Sequence, residues 1–211
     1  MKELRQFGSF PFTHSNLLEL LHGYNSPGDK ISSLIKNGDI ISLKRGLYIN
    51  APKYRSSMVS KFQLANVIYG PSYVSMESAL SEYGMIPEGV FTTRSVTLKR
   101  SRNFVNSLGK FEYFHSPENF YSIGIGISNR QKEGSCLLAS PEKALCDKIV
   151  FSKNSTIQSE KEMLNYLEDD LRIDMNLLKD LDEDVINLCA AAGRKQALLE
   201  LVLKIIFKLK R

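Results

Sequence analysis

The first sixty residues change from helical to extended hydrophobic patterns over a very short length, and this feature constrains the fold most. From Thr13, the leucines of THSNLLELLHGY recur at helical spacing, which predicts a helix capped by the Thr13 side chain. A turn follows at Asn25–Asp29, where Ser26 can cap a second helix and Pro27 suits its first position. The sequence therefore predicts two short helices joined by a tight turn.

The second predicted helix has two distinct faces. Its buried stripe is expected to contain Ile31, Leu34 and Ile35, and Gly38 is expected to end it. The residues left facing outward are Lys30, Ser32, Ser33, Lys36 and Asn37. This outward face is small, polar and basic, which is typical of helices that enter the major groove of DNA.

Two short strands are expected directly after the second helix. The patterns at Asp39–Leu43 and Leu47–Ile49 predict a β-hairpin, and its tight turn carries Lys44 and Arg45. Helix, turn, helix and basic hairpin together predict a winged helix-turn-helix. Its expected DNA contacts are the outward residues of the second helix together with Lys44 and Arg45. The alternative is a helical hairpin with an ordinary solvated face.

A polar segment that contains proline separates this pattern from the rest of the chain. Residues 50–57, NAPKYRSS, break both periodicities, so we place a boundary between domains at residues 1–57 and 58–211. Helical and extended patterns then follow one another, which predicts a mixed α/β domain with C-terminal helices and an α+β fold class overall. The expected elements are helices at 58–69, 75–83 and 140–151, a strand near 90–101, a hairpin at 104–114, and paired strands at 121–127 and 136–139.

Three segments carry a resemblance to a known family. The first is Lys44–Ile49, the second runs from Tyr73 to Thr93 and contains YVSMESAL and IPEGVFTT, and the third is Ser140–Asp147. In this order they resemble the AbiEi family of type IV antitoxins. The last sixty residues match that family less closely.

The resemblance implies a function that the residue patterns alone do not. It implies a two-domain antitoxin that binds operator DNA, expected at inverted repeats, and represses its own operon. It also implies that the chain counteracts a nucleotidyltransferase-like toxin without requiring a stable complex with it, and that it is not an enzyme. One alternative is a winged-helix transcription regulator without a toxin partner, and another is an enzyme that acts on nucleic acid or nucleotides.

Charge is distributed unevenly along the chain. Arg94, Lys99, Arg100 and Arg102 could form a second basic surface, although charges of this kind also protect exposed strand edges. Residues 151–193 hold ten acidic residues against four basic ones, whereas residues 194–211 hold six basic residues against one acidic residue. Helices are expected at 159–171 and 175–181, and a long final helix is expected to reach Leu209 with a break or bend near Gly193.

Several other kinds of chemistry find little support in the sequence. The three histidines and three cysteines lack metal-ligand spacing, so we expect no metal or cofactor, and buried thiols. Ser140-Pro-Glu-Lys143 matches an S-x-x-K pattern without its partner motifs, so Ser140 is expected to be an N-cap, and no catalytic residue is assigned. No signal peptide or membrane span is visible, so a soluble cytoplasmic protein without membrane contact is expected.

Overall fold

A small three-stranded sheet and two helices form the N-terminal part of the chain. The computed structural model describes residues 3–130, 134–153 and 157–211. After a 3₁₀ helix at Glu3–Phe7, the elements are β1 (Phe12–Thr13), α1 (His14–Leu20), α2 (Pro27–Lys36), β2 (Ile40–Lys44) and β3 (Leu47–Asn50). The strand order is β1-β3-β2, and both pairings are antiparallel.

Local sequence signals account for the ends of these elements. The predicted Thr13 cap is confirmed, because its side chain and that of Asn16 form a reciprocal capping box at the start of α1. Pro27 occupies the first turn of α2, but the Ser26 side chain makes no capping hydrogen bond. Gly46 adopts a φ of +79° in the hairpin turn, a backbone conformation that favours glycine.

The remainder of the chain is built around a six-stranded mixed sheet in the order β6-β7-β5-β4-β9-β8. Its strands are β4 (Ser72–Val74), β5 (Thr92–Thr97), β6 (Arg102–Asn106), β7 (Gly109–His115), β8 (Ile125–Arg130) and β9 (Gly134–Ala139). The helices are α3 (Lys61–Ile68), α4 (Met76–Glu82), α5 (Glu118–Tyr121), α6 (Pro141–Phe151), α7 (Glu160–Asn165), α8 (Met175–Lys179), α9 (Glu183–Ala191) and α10 (Gln196–Leu209). The chain is therefore a mixed α/β protein, as predicted.

Two hydrophobic clusters share the N-terminal hairpin formed by β2 and β3. Ile40 and Tyr48 belong to the smaller cluster beneath α1 and α2. Leu43, Leu47 and Ile49 instead belong to the large cluster of the six-stranded sheet and its helices. The domain boundary after residue 57 stays a prediction, and hydrophobic packing crosses it through this hairpin.

Helix α6 carries a fully buried ion pair. Ser140 is the N-cap, as predicted, because its Oγ accepts a hydrogen bond of 3.2 Å from the Lys143 backbone N–H. One turn further on, Lys143 Nζ lies 3.0 Å from Asp147 Oδ1, and both side chains are completely inaccessible to solvent. Lys143 also donates to the Phe120 carbonyl at 2.7 Å, and Ser75 Oγ donates to Asp147 Oδ2 at 2.5 Å. These hydrogen bonds offset part of the cost of burying the pair, whereas Asp147 Oδ1 has only the ion contact with Lys143 and accepts no hydrogen bond from the described residues.

The C-terminal region contains the break that was predicted near Gly193. Its last part is two helices, α9 and α10, because the chain turns at Gly193 with a φ of +83° and at Lys195 with a φ of +51°. The acidic segment and the basic tail pair with each other: Lys208 bonds Glu160, and Lys210 Nζ lies 2.7 Å from Glu183. The opposite charges of these two regions are therefore partly satisfied within the chain.

Among the described residues, no helix is both long enough and apolar enough to cross a membrane.

Candidate nucleic-acid interface

The outward face of α2 is confirmed only in part. Ser32, Ser33, Lys36 and Asn37 are exposed, as expected. Ile35, predicted to be buried, is 39% exposed. It lines a groove between α2, the N-terminal hairpin and β6, and it is not part of the hydrophobic cluster beneath α1 and α2.

Three of the outward residues take part in local hydrogen bonds, and a fourth lies near an aromatic ring. Ser32 Oγ donates to the Gly28 carbonyl at 3.0 Å, and Asn37 Nδ2 donates to Ser33 Oγ at 3.4 Å. Lys30 is half-buried, with its Nζ 5.2 Å from the centre of the Tyr24 ring. Lys36 therefore presents its charge on this face most freely.

The N-terminal hairpin brings its turn next to the central sheet. Arg45 is exposed at the tip, whereas Lys44 is half-buried. Burial lowers the pKa of Lys44, and the nearby charges of Lys99 and Arg102 lower this pKa further. The hairpin turn therefore lies within electrostatic reach of the turn between β5 and β6.

A direct hydrogen bond holds the hairpin against the edge of the six-stranded sheet. Asn106, the last residue of β6, donates from Nδ2 to the Leu43 carbonyl at 3.1 Å. Lys99, Arg100 and Arg102 are exposed in and beside the turn that precedes β6. This hydrogen bond fixes the hairpin at the far end of β6, and the effect of Lys99 and Arg102 on the pKa of Lys44 places the hairpin turn near the β5–β6 turn. We call the cations of these two turns the joint basic surface: Lys44, Arg45, Lys99, Arg100 and Arg102.

The joint basic surface has no neutralising acid nearby. Within the described residues, no carboxylate oxygen lies within 4 Å of a cationic nitrogen of its five members. Lys99 instead bonds the Gly70 carbonyl and lies 5.3 Å from the Tyr69 ring centre, and Arg102 lies 5.5 Å from that of Phe104. These contacts position the cations without cancelling their charge.

Arg94, expected with the other three cations, lies apart from them. It is in the middle of β5, where its guanidinium bonds Glu77 on α4 and Glu112 on β7. Both carboxylates neutralise it, and the parallel pairing of β5 with β7 places Glu112 opposite Arg94. Its charge does not contribute to the joint basic surface.

Sequence reasoning missed the proximity of Lys44 to Lys99 and Arg102, and also the cluster around Arg94. Neither has a signal in the sequence, because each depends on contacts between residues far apart in the chain. The cysteines are buried thiols, as expected. Among the described residues, no three His, Cys, Asp or Glu side chains are grouped so that they could hold a metal ion.

Two comparisons of the chain with known proteins found no match. No protein-family model matches the chain, and no curated protein matches it either.

Proposed function

We propose that the chain is a DNA-binding transcription regulator whose N-terminal elements form a winged helix-turn-helix. The observation that carries the proposal is the joint basic surface beside the exposed face of α2. Its five cations have no carboxylate partner in the described residues, and the pKa of Lys44 is lowered by burial and also by the nearby charges of Lys99 and Arg102. A polyanion would relieve this repulsion, and the phosphate backbone of DNA is the polyanion that a helix with a basic hairpin is suited to bind.

The order of the elements supports the same proposal. Two helices with a turn between them precede a hairpin, and β1 completes a sheet in the order β1-β3-β2. In this arrangement α2 would enter the major groove, with Ser33, Lys36 and Asn37 toward base edges, while the joint basic surface would contact phosphates. The proposed partner is operator DNA at inverted repeats, and the proposed setting is the cytoplasm.

We expect that replacing Lys44 and Arg45 by Gln will weaken binding to a duplex from upstream of the chain's own gene. Each lost phosphate contact removes roughly 0.9 units from the slope of log affinity against log salt, so the slope should fall by about two units. Fluorescence anisotropy over a series of salt concentrations measures both quantities. A matched control is Lys161→Gln with Lys204→Gln, which removes the same charge from exposed positions on α7 and α10. Equal slopes for the two double variants would contradict the proposed role of the hairpin.

We also propose that the chain serves as an antitoxin, a role that rests on its resemblance to the AbiEi family. Two of the segments that carry the resemblance are in contact: Ser75 bonds Asp147, and Glu77 bonds Lys148, the residue after the third segment. Most of the residues involved lie outside the N-terminal elements, so repression and toxin neutralisation should be separable.

Co-expression with an adjacent nucleotidyltransferase-like gene tests this second role. We expect the full chain to restore growth, and we expect the Lys44→Gln, Arg45→Gln variant to restore it equally well. Failure of the full chain to restore growth would contradict the antitoxin role. Failure of the variant alone, at equal cellular abundance, would show that the two roles share the hairpin.

A further inference from the structure

A cavity of about 380 Å³ lies beside the charged cluster that contains Arg94. Its walls come from α4, β5, α6, the loop before β5 and the segment after α7. One side is apolar and includes Leu80, Ile86, Val90 and Leu171. At its edge, Phe91 exposes 89% of its surface, although it belongs to the loop that lines the cavity. This volume and this mixture of apolar walls with a few charged groups are typical of sites for small molecules.

The charged wall of the cavity is held in one arrangement by its own ion pairs. Arg94 Nη1 and Lys148 Nζ both bond Glu77 Oε1, the latter at 2.5 Å, and Arg94 Nε bonds Glu112 Oε2 at 3.1 Å. Burial alone would raise the pKa of Glu77, but hydrogen bonds from Arg94 and Lys148 outweigh it and lower this pKa. Glu77 therefore stays ionised and fixes both cations at the cavity wall.

Both cations keep hydrogen-bond donors that no described residue uses. Within the part of the chain that the structure describes, Arg94 Nη2 has no hydrogen-bond partner, and the Lys148 ammonium donates only to Glu77. These donors belong to residues that line the cavity, so an acceptor group inside it can receive two charge-assisted hydrogen bonds.

The acids around the cavity limit the charge of its occupant. Glu77 already offsets part of the charge of Arg94 and Lys148, and Asp170 and Glu88 also line the cavity. A ligand with several negative charges, such as a nucleoside triphosphate, would meet more repulsion than attraction here. Glu88 is paired with Arg172, which leaves Arg94 and Lys148 balanced by Glu77 and Asp170. The unused donors can therefore hold one negative charge, and a second would meet net repulsion.

We propose that the cavity binds an organic monocarboxylate with an apolar or aromatic body. The carboxylate accepts hydrogen bonds from Arg94 and Lys148, the body packs on Leu80, Ile86 and Leu171, and Phe91 covers it from the edge. This site is separate from the joint basic surface, so the inference does not depend on DNA binding.

Titration of the full chain with 4-phenylbutanoate and its neutral analogue 4-phenylbutanamide, followed by NMR, tests the proposal. The acid should bind at least tenfold more tightly than the amide, because the charge-assisted hydrogen bonds are lost in the amide. Lys148→Met should remove most of this preference, whereas Lys110→Met should retain it. Lys110 is the matched control because it pairs with Glu112 but does not line the cavity.

Phe91→Ala provides a second variant that does not depend on the charged cluster. Because Phe91 is exposed, its loss should leave the fold intact and weaken binding of both compounds by about tenfold through lost apolar contact. Equal affinities of the acid and the amide for the wild-type chain would overturn the proposal. The proposal would also be overturned if Lys148→Met and Phe91→Ala both bound the acid with wild-type affinity. It would equally be overturned if neither compound bound the wild-type chain.

Discussion

Replacing Lys143 by Met is expected to lower the free energy of unfolding by about 3–5 kcal/mol, because it leaves a buried carboxylate without its countercharge. Lys143 and Asp147 are both fully buried, with 3.0 Å between Nζ and Oδ1. In the variant, Asp147 keeps the hydrogen bond from Ser75 but loses the ammonium group. Urea unfolding of the full chain, followed by circular dichroism, measures the effect.

The double variant Lys143→Met, Asp147→Leu separates lost charge balance from lost packing. A buried ion pair replaced by apolar side chains of similar volume is often close to neutral, so the double variant should recover most of the stability. Lys161→Met, an exposed lysine on α7, should stay within about 0.5 kcal/mol of the wild type. A loss below about 1 kcal/mol in Lys143→Met would contradict the account of this pair.

The stability that Lys143→Met loses should also depend on pH. Burial raises the pKa of Asp147 above its ordinary value, even though Lys143 and Ser75 act in the opposite direction. A carboxyl group whose pKa is higher in the folded state than in the unfolded state favours folding at low pH, and this contribution is lost as the pH rises. Without Lys143 the pKa rises further, so the stability lost in Lys143→Met should be larger at pH 7 than near the ordinary pKa of an aspartate.

Features set by neighbouring residues were predictable from the sequence. The Thr13 and Ser140 caps and the hairpin expected at 104–114 each depend on a few adjacent positions. The sequence also predicted a break or bend near Gly193, and the structure shows a break between α9 and α10. Lys195 adopts a left-handed conformation there, and its Nζ bonds the Ile149 carbonyl on α6 at 2.9 Å. That contact spans 46 residues, which local patterns do not capture.

Features set by distant pairing were not predictable. The parallel pairing of β5 with β7 places Arg94 opposite Glu112 and so removes it from the basic residues that follow it in sequence. The packing of the hairpin against β6 exposes Ile35 beside a groove and brings Lys44 near Lys99. Both results depend on how sheet strands are ordered, and the hydrophobic pattern of each strand does not determine that order.

Replacing the cations of the β5–β6 turn is expected to weaken DNA binding strongly. Lys99, Arg100 and Arg102 belong to the sheet part of the chain, yet Lys44 on the hairpin is close enough for two of them to lower its pKa. If the joint basic surface follows one DNA backbone, replacing these three cations by Gln should remove about 2.7 units of salt slope. Near physiological salt, that loss corresponds to an affinity about 100-fold weaker.

A control with the same change in net charge makes this prediction specific to position. Lys110, Arg172 and Lys204 are exposed and lie outside the joint basic surface. Replacing these three by Gln lowers the net charge by the same amount, so a general electrostatic effect would weaken both triple variants equally. Both triple variants should show the circular dichroism spectrum of the wild type, since every replaced side chain is exposed.

The salt dependence of binding to the upstream duplex, compared between these two triple variants, tests the central claim most directly. We expect the Lys99, Arg100 and Arg102 variant to lose about 2.7 units of slope and the control to lose less than about one unit. Slopes that agree within error between the two variants, or a wild-type chain that does not bind the duplex, would contradict a DNA-binding surface shared by the N-terminal hairpin and the central sheet.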